Sequence, residues 1–210
     1  MKIVSLLFIT TIIIMGNATA QSQNSYNGGN ETKRIIDNKK FRLLYDEVVI
    51  DASVEEVWNK VAGNFAQGEP IGESLNSIKC LTGDLVTGLG AERYLNIDFN
   101  GKPIEVKERI IDFQECGDHR EFTYDVYESK GGPVNIKSYN TWSVRKGKDG
   151  KTYLGNLFIF RAKFNLLTGL VGNIFKKSGA LRGGLLSYKH FIETGVRKES
   201  AEKLNKLYPR

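Results

Sequence analysis

Residues 166–192 read LLTGLVGNIFKKSGALRGGLLSYKHFI. Leu167, Leu170, Val171, Ile174, Leu181, Leu185, Tyr188 and Ile192 recur at three- and four-residue steps, with Lys176, Lys177, Arg182 and Lys189 between them. That spacing predicts an amphipathic helix with one wide apolar stripe. Gly169, Gly172, Gly179, Gly183 and Gly184 weaken it, each by roughly 1 kcal/mol relative to Ala. Propensity alone therefore does not hold this helix, and it needs a surface to pack on. The residues before it read as strands, so that surface is a sheet. The small residues around Gly179-Ala180 and Gly183-Gly184 also leave room beside the helix for a ligand.

The clearest part of the sheet is residues 90–113, GAERYLNIDFNGKPIEVKERIIDF. Asn100-Gly101 between two alternating runs is a strong signal for a two-residue hairpin turn. With that turn, Phe99 opposes Lys102, and counting back pairs Ile97 with Ile104, Leu95 with Val106 and Arg93 with Glu108. These pairs share one face, because side chains alternate along a strand. The other face pairs Asn96 with Glu105, Tyr94 with Lys107 and Glu92 with Arg109, and it is polar. The first face is apolar except for Arg93 and Glu108. An ion pair there must overcome a desolvation cost of several kcal/mol per ion. Two readings stay open: a polar anchor in a ligand cavity, or a satisfied structural pair near the end of the sheet.

Outward from this hairpin, residues 41–50 (FRLLYDEVVI) predict a first strand. Ser53 and Glu56 then form a capping box before Val54, Val57, Trp58 and Val61, the apolar face of a short helix. Residues 65–76 read as a broken connection or a second short helix. Phe122, Tyr124 and Val126 alternate with polar neighbours, and residues 136–145 form a strand with Tyr139 and Trp142 as its bulky residues. Residues 153–164 place Leu154, Phe158, Phe160, Ala162 and Phe164 on one side. A basic tail helix is expected over 197–207.

At 210 residues and 23.6 kDa the chain suffices for one sizeable domain. Its amino terminus differs from the rest. Lys2 precedes an uninterrupted apolar run, Ile3 to Gly16, and Ala18-Thr19-Ala20 supplies the small residues that a signal peptidase reads. The expectation is a cleaved secretory signal over 1–20, a mature start at Gln21 and a secreted or periplasmic protein. Residues 21–40 hold little to bury and read as a disordered lead-in. Without Lys2 the chain carries 29 basic against 24 acidic residues, a net charge of +5. Much of the excess lies in the tail (197–210), where weak contact with an anionic membrane surface is one reading and a solvated helix face the other. No nucleic-acid motif accompanies it. Cys80 and Cys116 fall on different predicted strands, either joined by a disulfide that export would permit or left as separate thiols. A zinc site lacks further soft ligands, and no cofactor motif is present.

Several of these residues also resemble a known family. The series Val49-Ile50-Asp51-Ala52-Ser53-Val54-Glu55-Glu56-Val57-Trp58 is similar to the opening signature of the SRPBCC superfamily, the START-related, pollen-allergen-like proteins. Gly88-Leu89-Gly90-Ala91-Glu92-Arg93 resembles its G-x-G-x-x-R strand. Glu108-Arg109, Asp112 and Tyr124 fall where it has an E-R…D…Y run, Phe164 precedes the final helix, and Leu185, Lys189 and Glu193 end it. The resemblance covers roughly residues 41–195 and is nearest the polyketide cyclase/dehydrase and lipid-transport group. It implies an α+β helix-grip fold: a curved antiparallel sheet of about seven strands around a long carboxy-terminal helix, with two short helices after the first strand. It also implies an apolar cavity between sheet and helix. The lining expected over the 41–196 domain is Arg93, Leu95, Glu108, Tyr124, Tyr139, Trp142, Phe158, Phe160, Leu181, Leu185 and Tyr188. The export signal and the glycines within 176–184, which kink or lengthen the helix, depart from the family pattern.

Three functions are weighed on these observations. The first is binding or carrying a hydrophobic small molecule, lipid-like, polyketide-like or aromatic. The second is a cyclase or dehydratase using Glu108, Arg93, Tyr139 or His190 as acid–base groups. The third is an envelope interaction module that docks through its basic tail. The abundance of inward aromatics with few polar groups favours the first.

Overall fold

The computed structural model describes residues 29–67, 71–99, 101–131, 136–162 and 165–209. The apolar leader, the Gln21 start, Asn100 and Phe164 lie outside the described residues. In chain order the elements are α1 (Asn30–Ile36), β1 (Arg42–Ile50), α2 (Val54–Val61), β2 (Leu75–Cys80), β3 (Glu92–Phe99), β4 (Lys102–Cys116), β5 (His119–Lys130), β6 (Ile136–Lys146), β7 (Thr152–Ala162), α3 (Asn165–Ser178), α4 (Ala180–Thr194) and α5 (Ala201–Leu207).

The strands form one antiparallel sheet in the order β1-β7-β6-β5-β4-β3-β2. Only β1 and β7 join across a long stretch of chain; every other neighbour follows directly. The β3–β4 register is the one that the turn dictates, from Phe99 opposite Lys102 to Glu92 opposite Arg109. Gly101 turns with φ 77° and its N–H donates to Asp98 Oδ1 at 2.7 Å. Register shifts leave Tyr127 of β5 unpaired beside Lys107/Glu108 and Ile111 of β4 unpaired between Ile110 and Asp112, and such bulges bend a strand and raise its twist. The sheet is curved accordingly.

The concave face carries the main core. Val48, Ile50, Ile110, Phe122, Tyr124, Val144 and Leu154 from the sheet meet Val57, Trp58 and Val61 of α2 and Leu185 and Leu186 of α4. Ser53 caps α2 as expected, its side chain accepting from Glu56 N at 3.1 Å. After α2 the described residues up to 67 form turns rather than a second helix. At the far end of α4, Lys189 Nζ donates to Val49 O at 2.7 Å, and Glu193 Oε1 accepts from Asp51 N at 2.9 Å. The two polar residues of the family-like helix ending thus fasten the helix to the end of β1.

Three expectations need correction. The helix over 166–192 is not continuous: Gly179 adopts a left-handed conformation (φ 65°, ψ 12°) between α3 and α4, a backbone state that Gly enters without steric cost. The lead-in is ordered over 30–36, where α1 buries Thr32, Ile35 and Ile36 against the convex face. A polar network holds it there. Thr32 donates to Asp112 Oδ2 through both N and Oγ1, at 3.1 and 2.8 Å, and hydroxyl contacts of 2.8 Å run on to Thr123 and Thr141. The tail helix is shorter than 197–207 and begins after Ser200, which caps it. Its Leu204 is buried, and Lys203 and Lys206 pair with Glu199 and Glu202, so their charge is internally balanced. His190, one of the acid–base candidates, is buried near the end of α4, with Nδ1 3.1 Å from the Tyr208 hydroxyl. Cys80 and Cys116 are separate free thiols.

Candidate functional site

Two groups of residues on the concave face were candidates for ligand contact, and the structure treats them differently. The first surrounds the Arg93–Glu108 pair, directly opposite in β3 and β4. Both residues are more than nine-tenths buried. Arg93 Nε and Nη2 reach Glu108 Oε2 at 2.7 and 2.6 Å, and Nη1 donates to Phe65 O at 2.8 Å. The guanidinium lies 4.1 Å from the Phe65 ring centroid and 5.1 Å from that of Tyr124, within the range of cation–π attraction. Burial pushes the Glu108 carboxyl up from its ordinary value, with Arg93 opposing. Burial is the largest influence on Arg93 and pulls it down, but Glu108, Tyr124 and Tyr188 together outweigh it and Arg93 sits above its ordinary value. Every guanidinium nitrogen is engaged, so Arg93 ties the turn after α2 to the sheet and presents no unoccupied nitrogen to a carboxylate. Of the two readings of this pair, the geometry favours the structural one.

The second group borders a half-open cavity of about 220 Å³ between β1, β6 and β7 and the junction of α3 with α4. Its apolar walls are Leu44, Trp142, Phe158, Phe175 and Leu181; Ala180 and Gly184 border it at the helix break, and Asn140 and Asn156 supply the polar lining. The register explains this composition. Asn140 pairs with Phe158 and Trp142 with Asn156 across β6 and β7, while Leu44 pairs with Phe158 across β1 and β7. Phe158 stacks on Phe160 at 5.1 Å and meets Phe175 edge-on at 5.0 Å. The α3 backbone comes close to Phe160 because Gly172 has no side chain; a Cβ there would lie 3.2 Å from Phe160 Cζ. Trp142 closes the inner wall, its ring 4.9 Å from that of Tyr188. Desolvation raises Tyr188 above the ordinary tyrosine value, and Tyr124 likewise.

Of the residues named from the sequence, Trp142, Phe158 and Leu181 line this cavity. Tyr188 backs Trp142, and Phe160 backs Phe158. Leu95, Tyr124 and Leu185 are core residues of the same face, and Leu185 is fully buried. Tyr139 is misplaced: it packs with Ile35, Ile36 and Ile159 beneath α1, on the convex face. Alternation along β6 puts Tyr139 opposite to Trp142, three residues on, and that parity was legible in advance. Leu44, Phe175, Asn140 and Asn156 were missed. The two asparagines had a signal, since each occupies an inward position two residues from an aromatic (Trp142 and Phe158).

A scan against protein-family models matches none, and a search of curated proteins gives no match. Solved structures do match. Ara h 8.0201 aligns over 72% of this chain and 97% of its own, at 15% identity and TM-score 0.54. The Zhui aromatase/cyclase from Streptomyces sp. R1128 covers 74% and 98%, at 14% identity and TM-score 0.54. Truncated norcoclaurine synthase from Thalictrum flavum covers 73% and 94%, at 14% identity and TM-score 0.51. At such identities the likeness bears on the fold. With the seven-stranded sheet and the helix gripped in its concave face, it shows that this chain has the helix-grip fold.

Proposed function

We propose that this protein binds a hydrophobic small molecule in the cavity between β1, β6, β7 and the α3–α4 junction. The observation that carries the reading is the cavity itself: 220 Å³ with aromatic and aliphatic walls and one pair of amides. Ligand sites are typically apolar clefts with a few placed polar groups. An apolar cavity of about 150 Å³ suffices for benzene, so this volume suits one or two rings, or a short branched chain. Among the described lining residues no side chain titrates near neutral pH, which favours binding over acid–base catalysis at this place. Two of the similar structures are named as an aromatase/cyclase and a synthase; that naming leaves catalysis as an alternative for this chain.

The test uses 2-methylnaphthalene as probe and the two tryptophan indole resonances in a ¹H–¹⁵N spectrum. Trp142 lines the cavity, whereas Trp58 donates to Glu115 in the core. A saturable shift of Trp142 that leaves Trp58 in place, and that Leu181→Trp abolishes by filling the space, supports the reading. No saturable shift, or one that persists in Leu181→Trp, defeats it.

A further inference from the structure

Asn140 and Asn156 are the polar groups of the cavity lining, and they bond to each other, Asn156 Nδ2 donating to Asn140 Oδ1 at 2.7 Å. An amide holds two donor hydrogens and a carbonyl acceptor. One bond between two amides therefore leaves hydrogen-bonding capacity of both kinds, whichever of the two donates. Asn156 is 2% exposed in a mainly apolar wall, where an amide without a partner is costly. Neither asparagine has an atom among the sealed, partnerless polar atoms of the described residues, and both line the cavity. Among the described residues no charged group joins them in the lining: Asp46, opposite Asn156 in the register, is directed to Arg182, which approaches its Oδ1 at 3.4 Å, and to Glu47 N at 2.9 Å.

Resting on the binding role proposed above, we infer that the amide pair selects its ligand: a neutral ring compound carrying a hydrogen-bond donor and an acceptor side by side on one edge. Carboxamides, hydroxyketones and lactams have that edge. Purely hydrocarbon ligands leave the amides unpaired, and carboxylates lack the donor while bringing an uncompensated charge into the cavity. The pair is a specificity element, and the aromatic walls hold the rest of the ligand.

The experiment compares three probes of one shape, 2-naphthamide, 2-methylnaphthalene and 2-naphthoate, by calorimetry and the Trp142 resonance at pH 7. The wild type is expected to bind the amide roughly tenfold more tightly than the hydrocarbon, as for one or two neutral hydrogen bonds, and the carboxylate most weakly. The double variant Asn140→Leu/Asn156→Leu, checked for folding by circular dichroism, should bring the amide-to-hydrocarbon ratio near one. Hydrocarbon binding without preference for the amide in the wild type overturns the proposal and leaves the cavity reading standing. An amide preference that survives in the folded double variant also overturns it. Binding of none of the three overturns both. The wild-type comparison alone decides the matter should the double variant not fold.

Discussion

Removing Glu108 while keeping Arg93 is the most demanding test of the interior. In Glu108→Leu, Arg93 remains more than nine-tenths buried and loses contacts of 2.7 and 2.6 Å, keeping only Phe65 O and two ring faces. Breaking a buried ion pair by removing one partner costs about 3–5 kcal/mol. With a urea m-value of about 2 kcal/mol/M for a domain of this size, the unfolding midpoint falls by roughly 1.5–2.5 M. Arg93→Met/Glu108→Leu removes both charges and refills their volume, which is commonly neutral or stabilising by about 1–4 kcal/mol. Against that stands Phe65 O, left without its donor at about 1–3 kcal/mol. The double variant is therefore expected within about 2 kcal/mol of wild type and above Glu108→Leu. Urea titrations of wild type, both single variants and the double variant complete the cycle. A midpoint drop under about 0.5 M for Glu108→Leu refutes the buried-pair argument, since such values belong to solvated pairs. The same double variant probes the placement of Arg93. Its affinity for 2-methylnaphthalene should change less than about threefold, and a collapse in the folded protein would put Arg93 in the ligand site after all.

Two further outcomes follow from the structure. Burial raises Asp125, its Oδ1 has no partner, and Arg109 at 3.7 Å, Lys137 and Glu92 are the charges around it. A carboxyl raised in the folded state contributes stability that is present below its unfolded value of about 3.9 and lost as pH rises through the folded value. Asp125→Asn should thus gain on wild type between pH 3.5 and 7 in thermal melts, and a constant difference across that range would refute the assignment. On the convex face, a Cβ at Gly29 would lie 1.9 Å from Asp112 Oδ1. Gly29→Ala should therefore push α1 off the sheet, read as faster amide exchange at Ile35 and Ile36 with the concave core unchanged; unaltered exchange there would contradict the docking of α1.

Much of the fold was legible in residues because the rules involved are local. Asn100-Gly101 fixed the β3–β4 register, since a two-residue turn leaves only one pairing, and with it the meeting of Arg93 and Glu108. Ser53 and Glu56 placed the start of α2 for the same kind of reason. The glycines within 176–184 announced a weak point in the final helix, though not that Gly179 would be the residue to turn left-handed.

What the chain could not disclose alone depends on contacts between distant segments. Thr32 finds Asp112 eighty positions away, so a lead-in poor in apolar residues gains order from a network absent from its own composition. Alternation separates Tyr139 from Trp142, but which of the two faces inward was hidden, because α1 gives apolar cover to the convex side and erases the polarity contrast that tells inside from outside. The cavity is likewise a tertiary product. Leu44, Asn140, Asn156 and Phe175 come from four elements, and only sheet order and the helix break bring them around one space. Sequence periodicity sets which way a side chain points along its own element; which element it meets is set by packing, and there the cavity was decided.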